Sequence, residues 1–171
     1  RRRVQTRAAA AVLAHLHDVL FDVYGLSGNA DDYYAPANSY LPAVLRSRRG
    51  IPITLTLLYF RVASEVGLDV HGINAPGHFL AEVEDPETDG ATMLVDAFDG
   101  GRILTHDEAM QRIAAATGRA VHPSGHILLR ATPLQWLDRM LNNLQASLAV
   151  LGLDRDVLAM QELQELLREG G

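Results

Sequence analysis

The sequence predicts an α+β domain: a small antiparallel β-sheet packed on a buried central helix, with further helices before and after it. Three observations predict this. Residues 52–66 are apolar on every face and stand between Gly50 and Gly67, which marks a helix surrounded by core. Segments at about 69–74, 78–84 and 92–97 read as strands and are separated by turn-rich stretches, as antiparallel neighbours are. Apolar residues recur at helical spacing near both ends of the chain.

Each element has a local reason. Ala8, Val12, Leu16, Val19, Leu20 and Val23 give a helix over 4–24, with Gly25 just past its end. Residues 26–37 are polar and turn-rich. Asn38 or Ser39 is placed to cap a short helix over 40–48, and Pro42 fits its first turn. Pro52 suits the first position of the apolar helix, whose backbone N–H at that point needs no partner. Turns are expected at 75–77 and 85–90, and residues 98–102 read as a glycine-rich turn. Thr105 with Glu108 is a capping-box pair that opens a helix over 106–116. A loop over 118–125 precedes two helices, 133–152 and about 155–168, which form a hairpin. The expected organisation is a core with N-terminal helices over 1–130 and a helical hairpin over 131–171 packed on that core.

Composition narrows the chemistry. Of 171 residues none is cysteine, so a disulfide, a thiolate metal site and a cysteine nucleophile are excluded. All fifteen basic residues are arginine, which removes Schiff-base catalysis and a P-loop lysine. The net charge of −6 argues against a nucleic-acid-binding protein, and no apolar run is long enough for a bilayer. No long apolar signal segment is present, and the cytoplasm is the expected compartment. The sequence opens on Arg1 and not on methionine, as expected of a stretch from a longer protein. His15 and His17 are two apart and point to different sides of a helix. Pro123 and Gly125 break any helix between His122 and His126. Neither pair suggests a metal site, and no cofactor is expected.

One constellation carries possible chemistry. A buried helix starts at Gly50-Ile51-Pro52, His78 stands at the start of a strand, and Asp96 ends the next one. Helix start, histidine, then acid is the chain order of papain-type and transglutaminase-type triads, in which the histidine takes a thiol proton and the acid fixes the imidazole. The motifs also resemble the transglutaminase-like superfamily: Gly50, Pro52 and Gly67 at the spacing of its Gly-x-Cys and later glycine, HFLAEV at 78–83 against its strand, and LVDAF at 94–98 against its acid segment. GN at 28–29, the run over 38–59, PGHFL at 76–80, VDAFDGGR at 95–102 and DRMLNNL at 138–144 look like its SirB-type bacterial branch, whose C-terminal helices resemble tetratricopeptide hairpins.

The resemblance implies a papain/transglutaminase-like core in which Pro52 stands where the enzymes place their cysteine nucleophile. It therefore implies a non-catalytic protein, a binding or scaffold module with a protein partner, that keeps His78 and Asp96 as a remnant dyad. The alternative is an acyl-transfer or amide-bond hydrolase in which Thr54 or Ser39 serves as a hydroxyl nucleophile beside His78 and Asp96. Arg46, Arg48 and Arg49 form a positive cluster that could bind an anion, or cover a helix C-terminus. Asp31, Asp32, Tyr33 and Tyr34 lie in the loop ahead of the core, placed to contact a partner or to pack across a cleft mouth.

Overall fold

The computed structural model of the protein describes residues 2–84, 90–118 and 127–169, with side chains from residue 10 onward. Arg1, His122, His126, residues 119–125 of the loop expected over 118–125 and most of the turn expected at 85–90 lie outside the described residues.

Helix α1 (Arg2–His17) runs on into a π-helical turn, Asp18–Val23, and stops before Gly25, whose φ of 78° suits glycine. Leu13, Leu16 and Leu20 form its buried stripe, at helical spacing. Strand β1 (Ser27–Gly28) pairs in parallel with β2 (Arg49–Gly50), and between them stand a 3-10 turn, Pro36–Ser39, and α2 (Leu41–Ser47). Neither Asn38 nor Ser39 caps α2, contrary to the sequence expectation. Tyr40 is the N-cap residue and gives no side-chain bond. Asn38 is buried, and its amide is used on carbonyls of the preceding loop, which a buried polar group must find.

Helix α3 (Pro52–Glu65) has Pro52 at its first position. The Thr54 hydroxyl reaches back to accept from the Ile51 N–H at 3.2 Å, half of a capping box. Residues 52–56 are buried throughout, whereas Arg61, Val62 and Glu65 reach solvent, so burial on every face holds for the first turns only.

Four strands form one antiparallel sheet in the order β3 (Val70–Ile73), β4 (Leu80–Glu84), β5 (Thr92–Asp96) and β6 (Arg102–Leu104). Sequence reading missed β6. A 3-10 turn, Ala97–Asp99, and Gly100 and Gly101, with φ of 62° and 76°, reverse the chain so tightly that a strand begins directly at Arg102. The register pairs Val83 with Val70 and Ala81 with Val95, which puts these apolar residues on one face. That face meets Leu55, Tyr59 and Ala63 of α3. On the other, Ile73, Leu80 and Leu104 pack beneath Ala109 and Ile113 of α4 (His106–Thr117), which the Thr105–Glu108 capping box opens as expected.

Helices α5 (Pro133–Val150) and α6 (Asp154–Glu169) form the expected hairpin. The approach to α5 lies along β3: the Asn74 N–H donates to the Leu129 carbonyl at 3.1 Å and the Ala131 N–H to the Gly72 carbonyl at 2.7 Å. Trp136 then stacks on Phe79 within a third cluster that includes Ile51 and Ile53. Any Cβ at position 72 would stand 2.7 Å from the indole, so this contact requires glycine. Among the described residues no helix is long and apolar enough to cross a membrane.

Candidate functional site

Three elements converge at one end of the sheet. His78 lies two residues before β4, after the Ala75-Pro76-Gly77 turn, and Asp96 is the last residue of β5. Antiparallel pairing of β4 with β5 brings these positions together. The N-terminal part of α3 belongs to the same region: the Thr56 hydroxyl donates to the Phe79 carbonyl at 3.3 Å. Thr56 stands one turn after Pro52 on the same face of the helix.

The His78 Nε2 and Asp96 Oδ2 are 2.9 Å apart. The Asp96 side chain is wholly buried and that of His78 is 10% exposed. Asp96 is held on every side. Its Oδ1 accepts from the Phe98 N–H at 3.0 Å and the Asp99 N–H at 3.3 Å, and Oδ2 also accepts from Arg112 Nη1 at 3.0 Å. Burial by itself would raise the Asp96 carboxyl. The hydrogen bond from His78, the pull of His78 and Arg112 and the Asp99 N–H outweigh it and hold the carboxyl below its ordinary value. Asp96 is therefore an ionised acceptor, and the His78 nitrogen facing it must carry the proton.

Aromatic residues wall the site. The Phe98 ring stands edge-on to the imidazole, with centroids 6.3 Å apart, and Tyr33 meets Phe98 at 6.1 Å. Tyr33 arrives on the loop ahead of α2, which Asn38 fastens. Asn38 Nδ2 donates to the carbonyls of Asp32 and Tyr33 at 2.7 and 3.0 Å, and Asn38 Oδ1 accepts from Asn29 at 2.9 Å. Tyr34 is exposed. On the α4 side His78 borders an open cleft of about 640 Å³, lined also by Phe98, Arg102, Gln111, Arg112 and Ala116.

Neither hydroxyl expected as a nucleophile is hydrogen-bonded to His78 among the described residues. Thr54 Oγ1 lies 2.9 Å from the Asn38 carbonyl and 3.1 Å from that of Ile51, and it is fully buried. The Ser39 hydroxyl is buried and makes no hydrogen bond among the described residues. Pro52 offers neither a reactive side chain nor an N–H. Of the basic cluster, Arg46 lies in the last turn of α2, Arg48 lies over the Tyr24 ring at 5.2 Å, and Arg49 pairs with Asp31 at 3.3 Å. Among the described residues no group of three side chains suits a metal ion.

Two arginines escaped sequence reading. Arg112 of α4 carries no motif that singles it out in the sequence. Arg139 of α5 lies within the DRMLNNL run but carried no role there. Its guanidinium donates to Asn74 Oδ1 and the Ala75 carbonyl, both at 2.7 Å, and to the His78 carbonyl at 3.3 Å. It thereby holds the loop that presents His78. Glu82, another motif position, accepts from Arg130 Nε at 2.6 Å and stands apart from the pair.

Residues 1–142 match the family described as the transglutaminase-like superfamily. The chain belongs to this superfamily. Its relatives include a UPF0162 protein of Xylella fastidiosa (strain 9a5c), 37% identical over 137 residues, which are 78% of this chain and 48% of that protein. A UPF0162 protein of Haemophilus influenzae is 32% identical over 108 residues, 60% of this chain and 38% of its own length. F-box only protein 21 of Homo sapiens is 31% identical over 161 residues, 91% of this chain and 24% of that protein. The chain thus spans about half the length of the Xylella relative and about a quarter of the human one. No solved structure matches it.

Proposed function

We propose that the chain is a non-catalytic, SirB-type member of the transglutaminase-like superfamily, a binding or scaffold module in which Pro52 occupies the position of the cysteine nucleophile. The single observation that carries this reading is an intact His78–Asp96 pair to which, among the described residues, no nucleophile is joined. Position 52 is proline, Thr54 is bonded to backbone carbonyls, and the Ser39 hydroxyl makes no bond to the imidazole among the described residues. Without a nucleophile a histidine–carboxylate pair cannot begin acyl transfer by a covalent route.

What survives suits recognition. The cleft beside His78 has apolar walls in Phe98 and Ala116 and polar groups in Gln111, Arg102 and Arg112, the mix that binding sites use. The shared region makes up 48% of a UPF0162 protein and 24% of an F-box protein, which supports a module set into longer chains. In this reading residues 131–171 are a tetratricopeptide-like extension packed on the 1–130 core, and the partner is a protein.

The test compares wild type, His78→Ala and Ala115→Trp, the last chosen to fill the cleft. Affinity capture from native cells, read by mass spectrometry, is expected to return a protein that wild type holds and Ala115→Trp loses. Amide-bond hydrolysis or acyl transfer by wild type that His78→Ala abolishes would overturn the reading in favour of the hydroxyl-nucleophile enzyme.

A further inference from the structure

We propose that the cavity between α5 and α6 is a second binding site, distinct from the cleft beside His78, and that it takes a carboxylate borne on a short apolar body, with Arg139 as the cation that pairs with it.

Among the arginines whose side chains are described, Arg112 and Arg139 are half-buried and the rest are exposed. The two differ in what neutralises them. Arg112 meets the carboxylates of Asp96 and Asp99. Burial alone would lower it, but the hydrogen bond to Asp99 and the charges of Asp96, Asp99 and Glu108 hold it above its ordinary value. Arg139 meets no carboxylate among the described residues. Its hydrogen bonds go to neutral oxygens: the Asn74 side chain and the carbonyls of Ala75 and His78. Burial pushes its guanidinium below the ordinary value, and only the pull of Tyr33 works against that. The acid beside it in sequence is already engaged. Asp138 accepts from Arg168 at 3.2 Å, from Gln164 at 2.9 Å and from Asn142 at 3.0 Å. Neutral acceptors satisfy N–H groups but leave the charge itself uncompensated, which is costly away from water.

Arg139 borders a cavity of about 360 Å³. Of the other charged groups in its wall, Asp138 and Arg168 pair with each other, so the Arg139 charge is left over. The polar groups there are donors. The Arg139 Nε–H and one N–H on Nη2 make no hydrogen bond among the described residues. The side-chain oxygen of Asn74 is taken by Arg139 and that of Gln135 by the Thr132 N–H, which leaves the two amide nitrogens. The Asn142 oxygen is taken by Gln164. Leu134 and Leu167 supply apolar wall. The fitting ligand accepts hydrogen bonds, carries a single negative charge and has hydrocarbon attached. A carboxylate meets all three conditions, whereas a phosphate monoester carries about −1.5 to −2 at pH 7 and overshoots the charge.

Two sources offer this chemistry, a free small acid and the end of a peptide chain. The cavity shares no lining residue with the cleft beside His78, so the site stands or falls separately from the proposed function.

The experiment is isothermal titration calorimetry on the full chain with isovalerate, a leucine-ended dipeptide with a free carboxylate, the amides of both, and phenyl phosphate. The diagnostic variant is Leu134→Glu. Leu134 is exposed and lies in the first turn of α5, where an acid suits the helix dipole, and the new carboxylate offers Arg139 a partner without touching its bonds to the loop before His78. Wild type is expected to bind at least one of the two acids and neither amide, and the acid it binds identifies the source. Leu134→Glu is expected to weaken that binding about tenfold or more, the effect of losing a hydrogen bond to a charged group. Four results would each overturn the proposal: no binding of either acid, binding of an amide as tight as that of its acid, phenyl phosphate binding as tightly as the acids, or Leu134→Glu binding like wild type.

Discussion

The Phe98 ring, edge-on to His78, rests on the bare backbone of Gly28: a Cβ at position 28 would lie 2.6 Å from two ring carbons and from the Phe98 carbonyl oxygen. The glycine of the GN motif is thus a spacer that sets the height of the ring beside the imidazole. Gly28→Ala is expected to destabilise the fold by about 1–3 kcal/mol, the usual cost of overpacking, and chemical denaturation measures it. Phe98→Ala in the same chain should recover only part of that loss, because the backbone carbonyl still meets the new methyl group. Complete recovery would place the whole conflict in the ring.

Asp96 carries a second prediction. Its folded carboxyl titrates below the unfolded one, because its hydrogen bonds and the Arg112 charge outweigh burial. The sign follows by linkage: the unfolded chain binds this proton first, so Asp96 contributes stability above its unfolded value, and that contribution is lost as pH falls through the folded one. Asp96→Asn should remove this part of the acid limb. At neutral pH it should also cost about 3 kcal/mol or more, since it leaves Arg112 and the His78 N–H against an amide inside the protein. Denaturation midpoints from pH 3 to pH 7 for the two proteins measure both effects.

Much of this was legible in the sequence, and the reasons divide cleanly. Helix α3 and strands β3 to β5 announced themselves through periodicity and punctuation, and Thr105 with Glu108 marked the start of α4. His78 and Asp96 could be singled out because their order relative to the Gly50–Pro52 helix start matches a known triad. Arg112 and Arg139 could not, because their roles depend on pairings 16 and 61 residues apart in sequence that no local pattern encodes. Asn38 misled for a related reason. An asparagine ahead of a helix is usually a cap, but once buried it served the nearer loop carbonyls. Strand β6 was hidden by the two glycines that create it.

His17 gives a third prediction. Its Nε2 lies 2.9 Å from the hydroxyl of fully buried Tyr59, and its ring packs edge-on to Tyr59 and Phe21. Burial pushes the imidazole down from its ordinary value and the phenol up. Neutral His17 can accept the phenol proton, whereas protonated His17 cannot. The unfolded chain therefore takes the proton first, near pH 6.5, and stability falls as pH drops from there towards the lower folded value. Thermal melts of wild type and His17→Gln should diverge in slope over that window, and parallel curves would remove His17 as the cause.

Helix α5 supplies a fourth. Trp136 is buried on Phe79 and Phe60, and Arg139 holds three acceptors around the loop before His78. The helix is part of the core in the physical sense that its removal uncovers Phe79 and frees those acceptors. Trp136→Ala should cost about 3–5 kcal/mol. A chain that ends at residue 130 should lose cooperative unfolding, read by circular dichroism and proteolysis. A stable, cooperative fragment would make the hairpin an independent appendage.

Position 52 decides whether the site descends from a cysteine enzyme in the way proposed. Pro52 begins α3, whose N-terminal dipole favours an anion. Its helical face also carries Thr56, which touches the residue after His78. A thiol installed by Pro52→Cys would meet both influences that lower a thiol's pKa, a helix N-terminus and a nearby imidazole able to take its proton. Alkylation by iodoacetamide at pH 7 should then be about tenfold faster, or more, than in Pro52→Cys with His78→Ala, the size of effect that one catalytic proton acceptor gives at the low end. The chain has no other cysteine, so the signal has one source. Equal rates in the two proteins would mean that the imidazole does not address position 52, and the equivalence of this proline with a lost nucleophile would fail.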